Sequence, residues 1–325
     1  MTAVERYLPD KVVTNVDLEA TVDTSDAWIR ERTGIVERRI LEGGATSDMA
    51  VAVARGLLRR SGTEAAQIDL IIVATITPDM MLPSTACRVQ HEIGATRAWA
   101  FDLAAACTGF VYALVSGAQF IATGAHRRVM VIGADKMSAI VDMQDRATCV
   151  LFGDGAGGVL LEPARGGEEG LLDFELHADG SGCDDLCVPA GGSRLPASHE
   201  TVDRRLHYLH QEGRAVYKFA VQRMAEVSLS LLERNGLTPA DLALFVPHQA
   251  NQRILSATAE RMGLPMDRVM SNIAHYANTT AATVPIALSE AVAQGRLAPG
   301  DLVQLTAVGG GLTWGSALLR WGSVG

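Results

Sequence analysis

The stretch Leu57-Leu-Arg-Arg-Ser-Gly62 recurs as Leu231-Leu-Glu-Arg-Asn-Gly236, a shift of 236 − 62 = 174 residues. The same shift aligns Ile68-Asp-Leu-Ile-Ile72 with Leu242-Ala-Leu-Phe-Val246 without a gap. Each copy has the pattern of a helix end, a glycine that stops the helix, a short loop and a strand. The chain therefore looks like a duplicated α/β unit.

The two halves are divided where the composition changes. Residues 163–170 are rich in Gly, Pro and charge, which is typical of a linker. We take residues 1–165 as the first half and 166–325 as the second. Buried strands are predicted at 70–74, 129–132, 159–161 and 302–306, and helices at 49–61, 217–235 and 252–262. This alternation favours an α/β fold with a largely buried sheet.

The duplication predicts a central site. Cys107 and Asn278 fall at equivalent positions, at a slightly smaller shift of 278 − 107 = 171 residues. In a pseudo-twofold arrangement, equivalent loops approach each other at the centre. His248 follows the strand equivalent to 70–73, so we expect it to point toward the same centre.

The composition limits the possible functions. The chain has 325 residues, of which 48% are hydrophobic and 20% charged, so a packed globular protein is expected rather than a disordered one. A net charge of −9 argues against a general nucleic-acid surface. Five cysteines without a framework of spacings favour a reducing cytosol. No signal peptide or membrane-length apolar stretch is evident, so a cytoplasmic protein without a membrane partner is expected.

Cys107 lies in Asp102-Leu-Ala-Ala-Ala-Cys-Thr-Gly-Phe110, ahead of a long uncharged stretch that predicts a buried helix. A helix N-terminus next to the sulfur would favour the thiolate. A free cysteine is also often buried simply as a small apolar residue, and we expect this of Cys87 and Cys149. Cys183 and Cys187 are expected to be two loop thiols, since no further ligands at metal-binding spacing are evident.

Two polar clusters and a glycine-rich turn lie downstream. His248 stands in Pro247-His-Gln-Ala-Asn251, and Asn278 stands in Ala277-Asn-Thr-Thr-Ala-Ala-Thr283. An asparagine there suits a helix N-cap as well as a catalytic loop, and one loop can contain both. Gly309-Gly-Gly-Leu-Thr-Trp-Gly315 lacks the Gly-Lys-Ser/Thr ending of a phosphate loop. Its N–H groups, with that of Cys107, could hold a thioester oxygen.

Several motifs in order resemble the β-ketoacyl-acyl carrier protein synthase III family, condensing enzymes of the thiolase superfamily. Besides the cysteine loop, the His248 and Asn278 clusters and the glycine turn, they are Tyr7-Leu-Pro9, Asp23-Thr-Ser-Asp-Ala-Trp28, Arg32-Thr-Gly-Ile35 and Phe152-Gly-Asp-Gly-Ala156. The resemblance runs nearly end to end. It implies the five-layered α-β-α-β-α thiolase-like fold and a homodimer.

The resemblance also implies the chemistry. Cys107 would take an acyl group from acyl-CoA. His248 and Asn278 would then hydrogen-bond the thioester oxygen of malonyl-acyl carrier protein as CO2 leaves. The N–H groups of Cys107 and Gly310 would form an oxyanion hole. The acyl-CoA and carrier-protein thioesters are substrates, and no cofactor or metal is expected.

Binding roles follow by position from the same resemblance. Trp28 and Arg146 would sandwich the CoA adenine, and Arg32 would contact the CoA phosphates. Gly213 and Asn251 would line the pantetheine tunnel. Lys218 and Arg253 would attract the acidic carrier protein, although Glu260 replaces a basic residue often found in that patch. Leu82 would close the acyl pocket of the partner subunit, and Ala277 replaces a common glycine.

One alternative to an initiating enzyme of fatty-acid synthesis stays open, and two others are disfavoured. A relative of the same fold could prime a polyketide or another secondary-metabolite pathway. An acyl-CoA-binding protein without turnover is disfavoured, because the nucleophile and both oxyanion residues are present. A degradative thiolase is also disfavoured, because the last cysteine is Cys187 and no second C-terminal cysteine exists.

Overall fold

The computed structural model describes residues 1–164, 166 and 169–322. Its strands are β1 Ala3–Tyr7, β2 Lys11–Thr14, β3 Glu37–Ile40, β4 Leu70–Ala74, β5 Trp99–Leu103, β6 Val129–Asp135, β7 Gly155–Leu161, β8 Gly170–Ala178, β9 Leu186–Cys187, β10 His210–Gln211, β11 Leu244–Pro247, β12 Leu302–Gly309 and β13 Thr313–Arg320. Its helices are α1 Asn15–Glu19, α2 Asp26–Thr33, α3 Thr46–Ser61, α4 Thr85–Glu92, α5 Gly109–Ala122, α6 Arg146–Cys149, α7 His199–Asp203, α8 Gly213–Arg234, α9 Gln252–Met262, α10 Ile273–Tyr276 and α11 Thr283–Ala293. Two 3₁₀ turns, Ala106–Thr108 and Thr280–Ala282, directly precede α5 and α11.

The two main sheets repeat one pattern of strand pairing. The first has the order β1-β7-β6-β4-β5 and the second β8-β13-β12-β11. β4 and β6 pair in parallel, as do β11 and β12. The other pairs are antiparallel: β1 with β7 and β7 with β6 in the first sheet, and β8 with β13 and β13 with β12 in the second. In the first sheet β5 pairs with β4 in parallel. At the corresponding position beside β11, the second sheet has a single parallel bridge between Phe245 and Val269. The duplicated α/β unit predicted from the sequence is confirmed, and the proposed boundary at residue 165 lies outside the described residues.

The elements stack in five layers. α5 and α11 lie between the sheets, because each contacts strands of both. α3 and α4 cover the outer face of the first sheet, and α8, with α9 packed on it, covers the second. This arrangement is the α-β-α-β-α order that the family resemblance implies.

β4 shows why the sequence folds in this way. Its residues alternate between two cores, with Leu70 and Ile72 facing the central helices and Ile71 and Val73 facing the α3 side. Because both faces are covered, the strand has a continuous apolar sequence rather than an alternating one. α5 is buried between the sheets, as its uncharged sequence predicts, and no helix in the described part of the chain is long and apolar enough to cross a membrane.

Candidate active site

One cavity of about 510 Å³ opens between the two halves. Cys107, His248, Asn278 and Gly310 all line it. They come from loops that follow β5, β11, α10 and β12. The pseudo-symmetry of the fold therefore brings together residues that are far apart in sequence, and the volume is that of a typical small-molecule site.

Cys107 lies in the 3₁₀ turn between β5 and α5, and only 6% of its surface is exposed. Burial raises the pKa of its thiol to about 12, and the negative charge of Asp135 contributes in the same direction. We expected the helix N-terminus to favour the thiolate, but loss of hydration outweighs that effect and the pKa is raised. The Cys107 side chain is therefore a neutral thiol near pH 7.

His248 follows the last residue of β11, and its N–H donates to the carbonyl of Thr306 at 2.8 Å. Its Nδ1 lies 2.6 Å from the hydroxyl of Thr283, the first residue of α11. Burial lowers the pKa of the imidazole to about 3. His248 is therefore neutral near pH 7 and has one nitrogen that can donate a hydrogen bond.

Asn278 is held by its backbone and its side chain. Its N–H donates to Leu151 at 2.9 Å, and its carbonyl accepts from Gly153 at 3.1 Å, which ties the loop to Phe152-Gly-Asp-Gly-Ala156. The side-chain Oδ1 accepts the N–H of Thr280 at 2.8 Å. The amide therefore caps the following turn with its oxygen and keeps its NH2 group as the remaining donor.

Asp135, at the end of β6, is fully buried and fixes the turn after Asn278. It accepts hydrogen bonds from the hydroxyl of Thr280 and the N–H of Ala281 on one side. On the other side it accepts from the segment after β4, whose donors are the Thr75 hydroxyl, the Ile76 N–H, and both the N–H and the hydroxyl of Thr77. Burial raises the pKa of this carboxyl although the hydrogen bonds oppose the shift.

The sequence analysis missed Asp135. An acidic residue at the end of an apolar strand was a usable signal, but the predicted strand stopped at residue 132.

The glycine turn after β12 packs against Cys107. A Cβ atom on Gly309 would lie 2.7 Å from the backbone nitrogen of Cys107, so no larger residue fits there. Gly310 is next in the chain and lines the cavity. The first N–H groups of a helix have no partner within the helix. The N–H of Cys107 and this turn are thus placed near each other at the cavity wall.

The wall of the cavity is mainly apolar. Phe152 of the Phe152-Gly-Asp-Gly-Ala156 motif contributes to it. Lining side chains not predicted from the sequence include Ile76, Met137, Ile140 and Leu209. They come from three separate segments of the chain, so no single local motif indicates them. An apolar wall beside the Cys107 sulfur suits a hydrocarbon group better than a charged one.

The predicted CoA contacts divide into two groups. Gly213 and Asn251 line the cavity, and the Asn251 amide donates to the carbonyl of Arg32 at 3.2 Å. Trp28 lies outside the cavity lining, with the Arg146 guanidinium 4.7 Å and that of Arg32 5.9 Å from its ring centroid. Arg146 and Trp28 therefore stack on each other in this structure.

The predicted carrier-protein contacts lie outside the cavity. Lys218 and Arg253 are exposed on α8 and α9, and the Arg253 guanidinium lies 5.4 Å from the ring of Tyr217, which lines the cavity. Leu82 is 84% exposed and does not line the cavity of its own chain.

The other cysteines differ partly from expectation. Cys149 is buried as predicted, but Cys87 is exposed on α4, so its assignment as a core residue is wrong. Its helix turns that position outward, which the residue type does not reveal. Cys183 and Cys187 lie in the cavity wall. Across the described residues, no group of three or more His, Cys, Asp or Glu side chains could hold a metal ion.

A buried cysteine, a neutral histidine and an asparagine amide around an apolar cavity, on this five-layered fold, define a condensing acyltransferase of the thiolase type. Models of 3-oxoacyl-[acyl-carrier-protein] synthase III match residues 101–180, and those of its C-terminal part match residues 232–321. The chain is 55% identical over 324 residues to the β-ketoacyl-[acyl-carrier-protein] synthase III of Chlorobium phaeovibrioides, covering 99% of this chain and 98% of that protein. The chain belongs to the β-ketoacyl-acyl carrier protein synthase III family.

Solved structures agree with this assignment. The 3-oxoacyl-[acyl-carrier-protein] synthase III of Aquifex aeolicus is 44% identical, with a TM-score of 0.91 and 98% of each chain covered. The enzyme of Thermus thermophilus is 46% identical, with a TM-score of 0.92 and the same coverage. The priming β-ketosynthase of the R1128 polyketide pathway is 32% identical, with a TM-score of 0.91, covering 99% of this chain and 96% of that one.

Proposed function

We propose that this protein catalyses the decarboxylative Claisen condensation of a short acyl-CoA primer with malonyl-acyl carrier protein. The products are 3-oxoacyl-carrier protein, CO2 and CoA, and the reaction initiates fatty-acid synthesis. The observation that carries the proposal is the shared cavity of Cys107, His248, Asn278 and Gly310. Family membership supports it.

In the first half-reaction, the sulfur of Cys107 attacks the carbonyl carbon of the acyl-CoA. The bond between that carbon and the CoA sulfur breaks, and the proton of the thiol ends on CoA. The N–H groups of Cys107 and Gly310 stabilise the oxyanion that forms meanwhile. Because the thiol has a pKa of about 12, the attack is coupled to loss of its proton.

In the second half-reaction, malonyl-carrier protein enters and its thioester oxygen accepts hydrogen bonds from His248 and Asn278. The carbon–carbon bond to the carboxylate breaks, CO2 leaves, and the electron pair enters the enolate. The carbanion carbon attacks the acyl group on Cys107 and displaces its thiolate. One proton from solvent then restores the thiol. Two neutral donors in a mainly apolar cavity are well suited to a developing oxyanion.

The binding roles belong to the same proposal. Arg146 separates from Trp28 so that the adenine enters between them, and Arg32 contacts the phosphates. The pantetheine arm passes Gly213 and Asn251, which already line the cavity.

The partners complete the proposal. The exposed cations Lys218 and Arg253 attract the acidic carrier protein to the cavity entrance. The protein acts as a homodimer, in which the exposed Leu82 closes the acyl pocket of the partner subunit. It works in the cytoplasm without a cofactor.

A second pathway has one observation in its favour. The priming β-ketosynthase of the R1128 pathway has the same fold at 32% identity. The proteins named for 3-oxoacyl-carrier protein synthesis are more similar, at 55% identity, which favours fatty-acid synthesis. Genes encoded next to this one separate the two pathways.

The test is intact-protein mass spectrometry after incubation with a mixture of short acyl-CoAs. The added mass identifies the preferred primer, and subsequent malonyl-carrier protein should remove it as 3-oxoacyl-carrier protein. Cys107→Ser should prevent the mass shift. His248→Ala should keep the mass shift but lose condensation. No condensation with any short acyl-CoA would refute the proposal.

A further inference from the structure

The Nδ1 atom of His248 faces a hydroxyl group. The Thr283 Oγ1 lies 2.6 Å away, and both residues are buried. Within the described residues, Nδ1 has no other hydrogen-bond partner. A carbonyl or carboxylate at this position would require a proton on Nδ1, whereas a hydroxyl can either accept or donate. The direction of this one bond therefore decides which nitrogen of the neutral ring carries the proton.

The Thr283 hydroxyl has one proton and two possible acceptors. The carbonyl oxygen of Thr280 lies 3.0 Å from Oγ1, farther than Nδ1. That carbonyl already accepts the backbone N–H of Thr283. The lengths of the two bonds favour Nδ1 as the acceptor of the hydroxyl proton. A separation of 2.6 Å is shorter than the range of about 2.7–3.2 Å usual for an N–H donor, whereas 3.0 Å is at the long end of the range for an O–H donor.

The position of Thr283 is fixed by the preceding turn. Asp135 binds the hydroxyl of Thr280 and the N–H of Ala281. A Cβ atom on Gly133 would lie 2.4 Å from the carbonyl oxygen of Ala281, so only glycine lets the turn approach β6 so closely. Thr283 begins α11 directly after this turn. Its hydroxyl is thus held in place from outside the cavity.

We infer that Thr283 is a positioning residue that donates its hydroxyl proton to Nδ1 and thereby places the proton of neutral His248 on Nε2. Nε2 is then the nitrogen that donates to the thioester oxygen of the malonyl group. That proton stays on Nε2 while CO2 leaves and the electron pair enters the enolate. The kinetic consequence rests on the proposed function, but the proton assignment does not.

The first experiment is NMR of the wild-type full-length protein labelled with ¹⁵N-histidine, without substrates. The spectrum of His248→Gln, subtracted from that of the wild type, identifies the two ring nitrogens of His248. The inference requires a protonated Nε2 and an unprotonated Nδ1. A protonated Nδ1 in the wild type would overturn it, whether or not the protein condenses any substrate.

The second experiment compares two variants of Thr283. Thr283→Val keeps the volume but removes the hydroxyl, and Thr283→Ser keeps the hydroxyl. We expect Thr283→Val to lose the fixed Nε2–H resonance and to slow malonyl decarboxylation roughly 10- to 100-fold, with acyl-enzyme formation close to wild type. Thr283→Ser should retain the fixed Nε2–H resonance and most of the wild-type rate of malonyl decarboxylation.

A purely structural role predicts a different outcome. In that case Thr283→Val would leave the nitrogen resonances unchanged, or would lower acyl-enzyme formation and decarboxylation to the same extent, and either result would overturn the inference. If Thr283→Val does not fold, the wild-type spectrum and Thr283→Ser still decide it. If no acyl-enzyme forms with the wild type, the proposed function fails while the NMR assignment remains decisive.

Discussion

Ala106 and Ala277, one in each half, both have a positive φ, of 46° and 55°. Each directly precedes a proposed catalytic residue, Cys107 or Asn278. L-amino acids with a side chain rarely adopt this conformation, because the Cβ atom crowds the backbone. At the shift of 174 residues the counterpart of Ala106 is Thr280, with φ 50°, so the two turns are not equivalent. A residue with a positive φ nevertheless precedes both Cys107 and Asn278 at the cavity wall.

Replacing Ala277 by glycine should stabilise the protein. Ala277 combines φ 55° with ψ −158°, near a region of backbone space that is essentially restricted to glycine. Relief of about 1–3 kcal/mol of strain should exceed the extra chain entropy of glycine and the loss of one methyl group. We expect Ala277→Gly to raise the free energy of unfolding by about 1 kcal/mol in urea titrations.

Ala282→Gly is the matched control. Ala282 is equally buried but has φ −77° and ψ −16°, which any residue adopts. Glycine there gains no strain relief and should lower stability by about 1 kcal/mol. Equal destabilisation by both substitutions would show that Ala277 is not strained.

The reactivity of Cys107 should rise steeply with pH. Its thiol has a raised pKa of about 12, so the thiolate fraction increases tenfold per pH unit at pH values well below the pKa. Inactivation by iodoacetamide should therefore rise tenfold per pH unit from about pH 7 to 10 without levelling off. Peptide mapping, with Cys107→Ser as the background, separates this thiol from the exposed Cys87. A plateau near neutral pH would indicate a resting thiolate instead.

The fold was predictable because its signals are regular. The strand Leu70–Ala74 and the helix Gln252–Met262 have the bounds that the sequence predicted, since continuous apolar runs and glycine stops mark them. The repeat at a shift of 174 residues also predicted the duplicated α/β unit. Cys107, His248 and Asn278 were singled out because each stands at a strand end or a turn between small residues, and all three line one cavity.

The supporting residues could not be predicted in this way. Asp135 and Thr283 act through partners at least 35 residues away in sequence, at Thr280 and His248. The pKa of Cys107 depends on how completely the fold excludes water from its sulfur, which the local sequence does not show. Local patterns therefore revealed the groups proposed to react, but not the groups that hold them.

His248 should make the protein sensitive to acid. Burial lowers its pKa from 6.5 to about 3, so the unfolded chain binds a proton in this range that the folded chain does not. Stability contributed by His248 is complete above pH 6.5 and is lost as pH falls toward 3. We expect His248→Gln to reduce the slope of unfolding free energy against pH by about 1.4 kcal/mol per unit within this window. Parallel curves for wild type and variant would contradict the neutral, buried imidazole.

Asp135→Asn should both destabilise the fold and activate the thiol of Cys107. The carboxylate accepts hydrogen bonds from two segments. The NH2 group of an asparagine would face some of those donors and could not accept their hydrogen bonds. We expect a loss of about 2–4 kcal/mol in unfolding free energy. Because the charge of Asp135 raises the pKa of Cys107, its removal should also speed alkylation of Cys107 at pH 8.

Asp154→Asn separates these two effects. Asp154 is also a buried carboxylate with a raised pKa, and it accepts hydrogen bonds from Ser138 and Leu41. Its charge does not contribute to the pKa of Cys107. Asp154→Asn should therefore destabilise the protein while leaving alkylation at the wild-type rate. If both variants accelerate alkylation alike, general loosening of the cavity explains the reactivity, and the electrostatic effect of Asp135 does not.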